Sequence, residues 1–310
     1  MNMMTAIGID LGGTNIKGVL LDAAGRIIDQ CMETTKPEQG GGDRNGAHWK
    51  QAVSHMIGRL RSKSAGTVTA IGLAAPGLPD ESNTAIRVMP GRLNGLEDLR
   101  WSDYLHEKTV WVLNDAHAAL TAEAKFGAGQ EVKNIVMLTW GTGVGGGILI
   151  NGELYAGNGQ KAGHLGHMVL DIDREERGIT GMPGTLENAI GDATILQRSF
   201  GRFASTHDLV KGYKQGDVFA TYIWLNTVRK LALGLCSLCN LLSPDLIILG
   251  GGITKAGDAL YKPLSDFIAL YEWKIAGKTT PIRQAHYSDM AGAVGAAGFA
   301  LGRTLSAQRA

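Results

Sequence analysis

The same local pattern occurs twice in this chain: an apolar strand, a glycine-rich turn and a second apolar strand. The first copy, at residues 7–21, contains DLGGT at positions 10–14. The second copy, at residues 135–150, contains GTGVGGG at positions 141–147. A duplicated strand–turn–strand unit is typical of an internal repeat, so it predicts two related domains that face each other.

Apolar periodicity indicates that helices alternate with further strands. Helical spacing occurs at residues 48–61, 116–126, 219–242 and 290–301. Short buried strands are predicted at residues 69–73, 110–113, 134–139 and 246–249. The pattern predicts the α/β class, with an N-terminal domain at 1–120 and a C-terminal domain at 121–290. We expect the final helix, at about 290–310, to pack back on the first domain.

The composition excludes several classes of protein. Thirty basic and 29 acidic side chains give a net charge of +1, which argues against a nucleic-acid partner. No apolar run reaches the roughly 18 residues that a membrane span needs, and the N-terminus lacks the basic region of a signal peptide. Cys31, Cys236 and Cys239 are too few for a disulfide framework. We therefore expect a cytoplasmic protein without a membrane partner.

Three glycine turns that follow strands are candidate phosphate-binding loops: residues 10–14, 141–143 and 250–252. Glycine lets backbone N–H groups converge on an anion at close range. One such turn alone is more often a simple hairpin, but three in one chain favour phosphate binding. The chain lacks the P-loop motif, and its G-x-G-x-x-G at 141–146 leads into a strand rather than a helix, which argues against a dinucleotide fold.

Asn114 and Asp115 close one predicted strand and precede a helix. Both residue types cap helices well, so a purely structural role is one interpretation. The other is that Asp115 is a general base, since a carboxylate at a strand end can take a proton from a hydroxyl group. Phosphoryl transfer needs positioning and charge neutralisation more than covalent chemistry. One carboxylate near phosphate-binding turns is therefore a sufficient set of groups for a kinase.

Six motifs, in order, resemble those of the ROK family: DLGGTNIKG, NDAHAA, TWGTGVGGG, GHLGH, TLENAIG and IILGGGI. The resemblance covers residues 7–301. It implies a two-domain α/β fold of the hexokinase and actin-like (ribonuclease H-like) type, with ATP in a cleft between the domains. It also implies phosphorylation of a sugar, commonly at the C6 hydroxyl of a hexose or hexose derivative, and a homodimer.

The resemblance assigns roles to individual residues. Asp115 matches the catalytic base. The positions that match sugar contacts are Asn114, His164, His167, Glu187, Gly77 and Arg92. The positions that match contacts with ATP and its Mg²⁺ are Asp10, Gly12, Gly13, Thr14, Gly141, Thr142, Gly143, Gly250, Gly251 and Gly252.

The chain departs from the family pattern in its sugar motif, which usually reads Glu-x-Gly-His. Here His164 replaces the glutamate, and Arg92 aligns with a position that is often asparagine, although Asn94 lies two residues on. These changes alter the hydrogen-bonding groups of the site and predict a shifted specificity, toward a sugar with an acidic or unusual substituent. The cysteines that bind structural zinc in the family are absent from residues 176–188, so we expect no structural zinc.

The alternative is a sugar-binding or regulatory protein without kinase activity, because the sugar motif is altered. Some family members are repressors that carry an N-terminal helix-turn-helix. Six residues precede the first apolar strand at Ile7, so we expect no DNA-binding module. The presence of Asp115 together with the glycine turns favours the kinase.

Overall fold

The computed structural model describes residues 4–35, 46–89, 93–171, 173, 177 and 181–309. The chain forms two compact units. Unit 1 consists of Met1–Glu131, Ala156–Ala162 and His286–Ala310, and unit 2 consists of Val132–Tyr155 and Gly163–Ala285. Each unit combines a mixed sheet with helices, so the α/β class predicted from the sequence is confirmed.

Unit 1 is built on a mixed sheet. Its strands are β1 (Thr5–Leu11), β2 (Asn15–Asp22), β3 (Ile27–Thr34), β4 (Val68–Ala75), β5 (Leu78–Pro79), β6 (Ile86–Val88) and β7 (Trp111–Asn114). Its helices are α1 (Ala47–Ser62), α2 (Trp101–Leu105), α3 (Asp115–Phe126) and, from the end of the chain, α9 (Ala291–Arg309). In the described residues the main sheet has the order β3-β2-β1-β4-β7, in which β1 pairs antiparallel with β2 and parallel with β4. β5 and β6 form a separate small hairpin.

The two faces of β1 are covered by different layers. Ile7, Ile9 and Leu11 point into a core that includes Met56 and Leu60 of α1. On the opposite face, small residues of β1 and β4 meet the alanine-rich helix α9. Alternation of side chains along a strand produces this division. Both faces of β1 are therefore buried, which explains the unbroken apolar run seen in the sequence.

Helix α9 approaches the sheet unusually closely because both surfaces lack large side chains. A Cβ atom on Gly8 would lie 1.9 Å from the Ala293 carbonyl oxygen, and one on Gly72 would lie 2.0 Å from that of Ala296. Neither position has room for a larger residue. Since β1 leads into Asp10 and the first glycine turn, this close contact fixes the part of unit 1 that carries candidate site residues.

Unit 2 is built on a second mixed sheet. Its strands are β8 (Ile135–Trp140), β9 (Val144–Ile150), β10 (Glu153–Leu154), β11 (Leu246–Gly250) and β12 (Ile282–Gln284). Its helices are α4 (Leu186–Ile190), α5 (Ile195–Arg198), α6 (Thr206–Lys214), α7 (Val218–Leu242) and α8 (Asp258–Tyr271). The described strands have the order β10-β9-β8-β11-β12. β8 pairs antiparallel with β9 and parallel with β11, so both sheets share one arrangement of their central strands.

The glycine-rich stretch at 141–147, predicted as a turn, is only partly a turn. Strand β9 begins at Val144, and the turn is confined to residues 141–143. The later glycines are strand residues that lie under other parts of unit 2: a Cβ atom on Gly146 would lie 2.8 Å from a methyl group of Leu165. Glycine in a strand often marks such a close approach.

Helix α8, to which the sequence analysis assigns no element, runs through Pro263. Proline lacks an N–H group, so the carbonyl oxygen four residues earlier, on Ala259, loses its helical partner. The Trp224 indole of α7 donates to this oxygen at 2.8 Å. A tertiary hydrogen bond thus satisfies the group that proline leaves open, and the helix continues.

Helix α7 provides much of the core of unit 2, with Trp224, Leu231 and Leu235 fully buried. Cys236 is buried and Cys239 is half-buried on the same helix, and both are free thiols. Burial raises the pKa of the Cys236 thiol to about 11 and also raises that of Cys239. Of the helices in the described residues, none combines the length and the apolar character that crossing a membrane requires.

Candidate functional site

Asp115 is the first residue of α3, directly after the end of β7. Asn114 caps the helix: its side-chain oxygen accepts hydrogen bonds from the amides of Ala116 at 2.9 Å and His117 at 3.3 Å. Its amide group donates to the Gly77 carbonyl oxygen at 3.0 Å. Asn114 therefore caps α3, and its contacts fix the start of the helix. Asp115 itself is exposed, as a group that acts on a bound substrate must be.

Gly77 contacts Asn114 through its backbone. It has a φ of +102°, a backbone conformation that residues with a Cβ atom rarely adopt. A Cβ atom there would also lie 2.5 Å from the Val88 carbonyl oxygen of the small hairpin. Glycine at position 77 thus allows the backbone conformation in which the Gly77 carbonyl oxygen accepts from Asn114. Arg92, another predicted sugar contact, lies outside the described residues.

Asp10 lies near the end of β1, with its carboxylate against the start of α9: a Cβ atom on Gly292 would lie 2.6 Å from the Asp10 carboxyl carbon. Burial raises the pKa of Asp10 to about 7, and the negative charge of Asp115 adds to the effect. Lys17 opposes it with its positive charge. Asp10 and Asp115 are therefore electrostatically coupled in unit 1, as two acidic groups of one site would be.

The first glycine turn, residues 12–14, connects β1 with β2. Its backbone is held by the Gly12 amide, which donates to the Asn15 carbonyl oxygen at 3.0 Å, and by Thr35, whose hydroxyl donates to the Gly12 carbonyl oxygen at 2.6 Å. Gly13 and Thr14 are exposed, and a Cβ atom on Gly13 would meet no protein atom within 4 Å. The turn is thus rigid at its base and open at its tip.

The second glycine turn, residues 141–143, is bonded to the segment that follows α4. The amides of Asp192 and Ala193 donate to the carbonyl oxygens of Gly141 at 3.0 Å and Thr142 at 2.9 Å. Just before the turn, the Trp140 indole donates to the Ile190 carbonyl oxygen at 3.0 Å. The electron-rich carbonyl oxygens of the turn are therefore paired within unit 2.

Glu187, in the first turn of α4, lies directly against this second turn. One of its carboxylate oxygens accepts a hydrogen bond from the Val144 amide at 2.8 Å. A Cβ atom on Gly143 would lie 2.4 Å from the same oxygen. The Gly143 backbone thus lies against the end of the glutamate side chain, and a larger residue there would displace the carboxylate.

The third glycine turn follows β11 and combines a packed residue with an open one. Gly251 has a φ of +91°, and a Cβ atom there would lie 2.2 Å from the Trp140 carbonyl oxygen. A Cβ atom on Gly252 would meet nothing within 4 Å, and the same is true of Gly141. Gly141 and Gly252 are therefore glycines that no nearby protein atom requires, which leaves room for the close approach of a ligand.

Gly141 and Gly252 line one cavity in unit 2 with a volume of about 830 Å³. This volume lies within the range of small-molecule sites, roughly 300–1,000 Å³. The polar and charged residues that line it are Thr142, Asp192, Ser205, Thr206, His207, Lys211, Lys214, Gln215 and Lys255. Three lysines against a single aspartate give the cavity a positive character, which suits an anionic ligand such as a nucleotide.

Most of these cavity residues lie on α6 or just before it, and the sequence analysis missed them. A signal was present: Ser205-x-x-Asp208 before an apolar pair is a capping pattern. In the structure the Ser205 hydroxyl accepts from the Asp208 amide at 3.1 Å. The Asp192 carboxylate also accepts from the Thr206 amide at 2.5 Å, which ties the start of α6 to the segment beside the second turn.

His164 precedes a short 3₁₀ turn, Leu165–His167, that packs on β9, and His167 is the last residue of this turn. Their rings are parallel within 2°, with centroids 6.2 Å apart, and both are partly exposed. A Cβ atom on Gly166 would lie 2.0 Å from the Val144 carbonyl oxygen, so the turn is held tightly against the strand. Among the residues that the structure describes, no three or more His, Cys, Asp or Glu side chains are grouped to hold a metal ion.

The chain is similar to known proteins over almost its whole length. The sequence profile of the ROK family matches residues 6–303. A glucokinase from Halalkalibacterium halodurans is 30% identical over 93% of this chain and 92% of its own length. The crystal structure of a ROK hexokinase from Thermus thermophilus is 28% identical and superposes with a TM-score of 0.83, over 99% of this chain and all of that one.

A ROK family glucokinase from Streptomyces griseus, solved in complex with glucose and AMPPNP, is 25% identical. It superposes with a TM-score of 0.78 over 96% of this chain and 99% of its own. The fold is therefore that of the hexokinase and actin-like kinases, as predicted. Because the family profile covers nearly the whole sequence, this chain belongs to the ROK family.

Proposed function

We propose that this ROK-family carbohydrate kinase transfers the γ-phosphoryl group of MgATP to a hydroxyl group, at C6, of a hexose or hexose derivative. The observation that carries the proposal is the cavity of unit 2. It is lined by lysines and by two turn glycines, Gly141 and Gly252. At each of these glycines a Cβ atom would meet no protein atom within 4 Å, so packing does not explain the glycine. Glucokinases among the relatives support a sugar as the acceptor.

Asp115 is the proposed general base. In this role its carboxylate accepts the proton of the sugar hydroxyl as the hydroxyl oxygen forms a bond to the γ-phosphorus and the bond to ADP breaks. Two features support the assignment: the side chain is exposed, and its position is fixed by the Asn114 cap. Positioned general bases of this kind contribute about 10²–10⁴-fold to a rate.

The nucleotide is proposed to lie in the cavity of unit 2. Lys211, Lys214 and Lys255 offer positive charge, and the glycine turns at residues 141–143 and 250–252 offer backbone close to the ligand. We assign the first turn, Gly12 to Thr14, to the phosphates as well. Mg²⁺ would neutralise phosphate charge, and Asp10 is the carboxylate that we place near the Mg–phosphate group.

The sugar is proposed to contact His164, His167, Glu187 and Asn114, and Arg92 from the part of the chain outside the described residues. A carboxylate only accepts hydrogen bonds, whereas an imidazole can donate and can carry positive charge. His164 therefore favours a sugar with an anionic or strongly accepting substituent over plain glucose. This preference distinguishes the chain from an ordinary glucokinase.

A coupled assay of ADP release with MgATP and a panel of sugars tests the proposal. The panel contains glucose, mannose, fructose, allose, N-acetylglucosamine, N-acetylmannosamine and acidic sugars. We expect turnover with at least one sugar and a preference for the acidic ones. Efficient turnover of neutral hexoses but not of acidic ones would contradict the assigned role of His164.

The altered sugar motif also supports one alternative, a sugar-binding or regulatory protein without kinase activity. Its signature would be measurable ATP affinity with no sugar-dependent turnover across the panel. A His164→Glu variant separates the two cases, because turnover that it restores would show an intact phosphoryl-transfer site. A homodimer in the cytoplasm is part of our proposal, and sedimentation velocity and cell fractionation test these two points.

A further inference from the structure

We infer that Glu187 is a positioning residue for the second glycine turn, residues 141–143, and so controls phosphate binding even when no sugar is present. The inference rests on the proposed function in one respect, namely that this turn binds phosphate. It goes beyond the sugar contact assigned to Glu187 from the sequence.

The first support is the contact itself. The Val144 amide donates to the Glu187 carboxylate at 2.8 Å, a hydrogen bond to a charged acceptor, which is stronger than one to a neutral group. One Hα atom of Gly143 faces the same carboxylate, since a Cβ atom there would lie 2.4 Å from the oxygen. Glu187 therefore fixes both the end of the turn and the start of β9.

The second support is the rigidity of the element that carries Glu187. Helix α4 is capped by Thr185, whose hydroxyl accepts from the Asn188 amide at 3.2 Å. Leu186 and Ile190 on either side of Glu187 are fully buried in the core of unit 2. A side chain on a capped and buried helix can hold a loop in place, because it has little freedom of its own.

The third support is that the same short segment bonds to the turn at several further points. The amides of Asp192 and Ala193 hold the carbonyl oxygens of Gly141 and Thr142, and Trp140 bonds to Ile190. Asp192 in turn accepts from the Thr206 amide at the start of α6, which lines the cavity. Glu187 thus belongs to a connected set of hydrogen bonds between the turn and the proposed nucleotide cavity.

This positioning role predicts a loss of affinity for ligands that carry phosphates and no loss for ligands without them. Without the carboxylate, the Val144 amide loses its acceptor and the backbone at 143 gains free space, so the turn samples more conformations. We expect Glu187→Ala to weaken the affinity for AMPPNP by about tenfold, the size of effect that loss of a charged hydrogen bond produces. The affinity for adenosine, which has no phosphate, should not change.

The test is isothermal titration of AMPPNP and adenosine into wild type, Glu187→Ala, Glu187→Gln and Glu153→Ala, all without sugar. Glu187→Gln retains an acceptor oxygen and should lose less affinity than Glu187→Ala. Glu153→Ala removes an exposed carboxylate of β10 and should leave both affinities unchanged. Amide hydrogen exchange at Val144 provides a readout that needs no ligand, and it should accelerate in Glu187→Ala but not in Glu153→Ala.

The inference is overturned if Glu187→Ala binds AMPPNP as tightly as wild type and only the KM for sugar rises. It is also overturned if AMPPNP and adenosine affinities fall together, because a general loss of structure would do that. A wild-type protein that binds AMPPNP yet phosphorylates no sugar refutes the proposed function alone. The difference between the two ligands in Glu187→Ala would still support the positioning role.

Discussion

The backbone of Gly295 in α9 lies so close to Ala118 in α3 that a Cβ atom on the glycine would be 1.7 Å from the alanine carbonyl oxygen. The two helices contact each other along this line of small residues, and α3 begins with Asp115. We expect Gly295→Ala to destabilise the protein by about 3 kcal/mol, because backbone must move to admit the methyl group. Urea unfolding measures the difference.

Gly58→Ala is the matched control for this substitution. Gly58 is exposed in the middle of α1, where a Cβ atom would meet nothing within 4 Å. Alanine there should stabilise the protein by about 0.5–1 kcal/mol, because glycine is the weaker helix former. Equal effects of the two substitutions would contradict the packing argument.

Gly251 and Gly252 are neighbours with opposite expected responses to alanine. Gly251→Ala should destabilise the protein by about 2 kcal/mol, because its φ of +91° strains a side chain. Gly252→Ala should change stability by less than about 0.5 kcal/mol, since the position is open. It should nevertheless raise the KM for ATP, because the added methyl group occupies cavity space.

Thermal unfolding and ATP titration of the two variants measure both quantities. A Gly252→Ala enzyme with the ATP KM of wild type would show that the nucleotide does not approach this glycine. A destabilised Gly252→Ala variant would contradict the open position of residue 252, because it would show that the added methyl group meets other protein atoms.

The raised pKa of Asp10 predicts that stability depends on pH. The folded protein keeps the Asp10 proton up to a pH of about 7, whereas the unfolded chain releases it near 3.8. The stabilisation that the Asp10 carboxyl group contributes is therefore fully present below pH 3.8 and is lost as the pH rises through about 7. We expect Asp10→Asn to lose less free energy of unfolding between pH 5 and 8 than wild type does, as measured with urea.

Carbon NMR of labelled aspartate, recorded without metal, tests the cause. Burial is the larger contribution and the charge of Asp115 the smaller, so Asp115→Asn should lower the pKa of Asp10 only in part. A pKa of Asp10 near 3.8 in wild type would refute the burial of its carboxylate against Gly292.

Replacing His164 with glutamate should move the specificity toward glucose. The substitution supplies the acceptor-only group that the family motif usually has, and we expect kcat/KM for glucose to rise by about tenfold, the value of one well-placed hydrogen bond. His55→Glu, on the exposed face of α1, controls for the change of charge. A lower kcat/KM for glucose in His164→Glu would show that the imidazole itself recognises this sugar.

The sequence predicted elements well where local pattern and tertiary packing agree. The strand–turn–strand at the N-terminus and the long helix α7 are examples, because an apolar run and its burial coincide there. No helix was predicted at α8, which contains Pro263. The Trp224 indole bonds to the carbonyl oxygen that the proline leaves open, and local sequence does not reveal a contact between residues 35 positions apart. The start of β9 was also missed, because the glycines after Val144 were predicted as a turn but are strand residues, and one of them, Gly146, is covered by Leu165.

The residues of the candidate site were also predicted only in part. The motif residues Asp10, Asp115 and the glycines were visible in the sequence because each stands at the end of a predicted strand. The contact between Glu187 and Val144 was not, since the two residues lie 43 positions apart and only the fold brings them together. The lysines of α6 were missed because no helix was predicted at residues 206–214, although Ser205 and Asp208 mark its start.

The turnover of Asp115→Asn with MgATP and the preferred sugar, measured together with AMPPNP affinity, tests the proposed base most directly. Asparagine keeps the size of the side chain but cannot act as the base. We expect a fall in kcat of about 10²–10⁴-fold with AMPPNP affinity unchanged. Asp103→Asn, an exposed aspartate of α2, should keep full activity. An Asp115→Asn enzyme that phosphorylates sugar at the wild-type rate would show that Asp115 is not the general base.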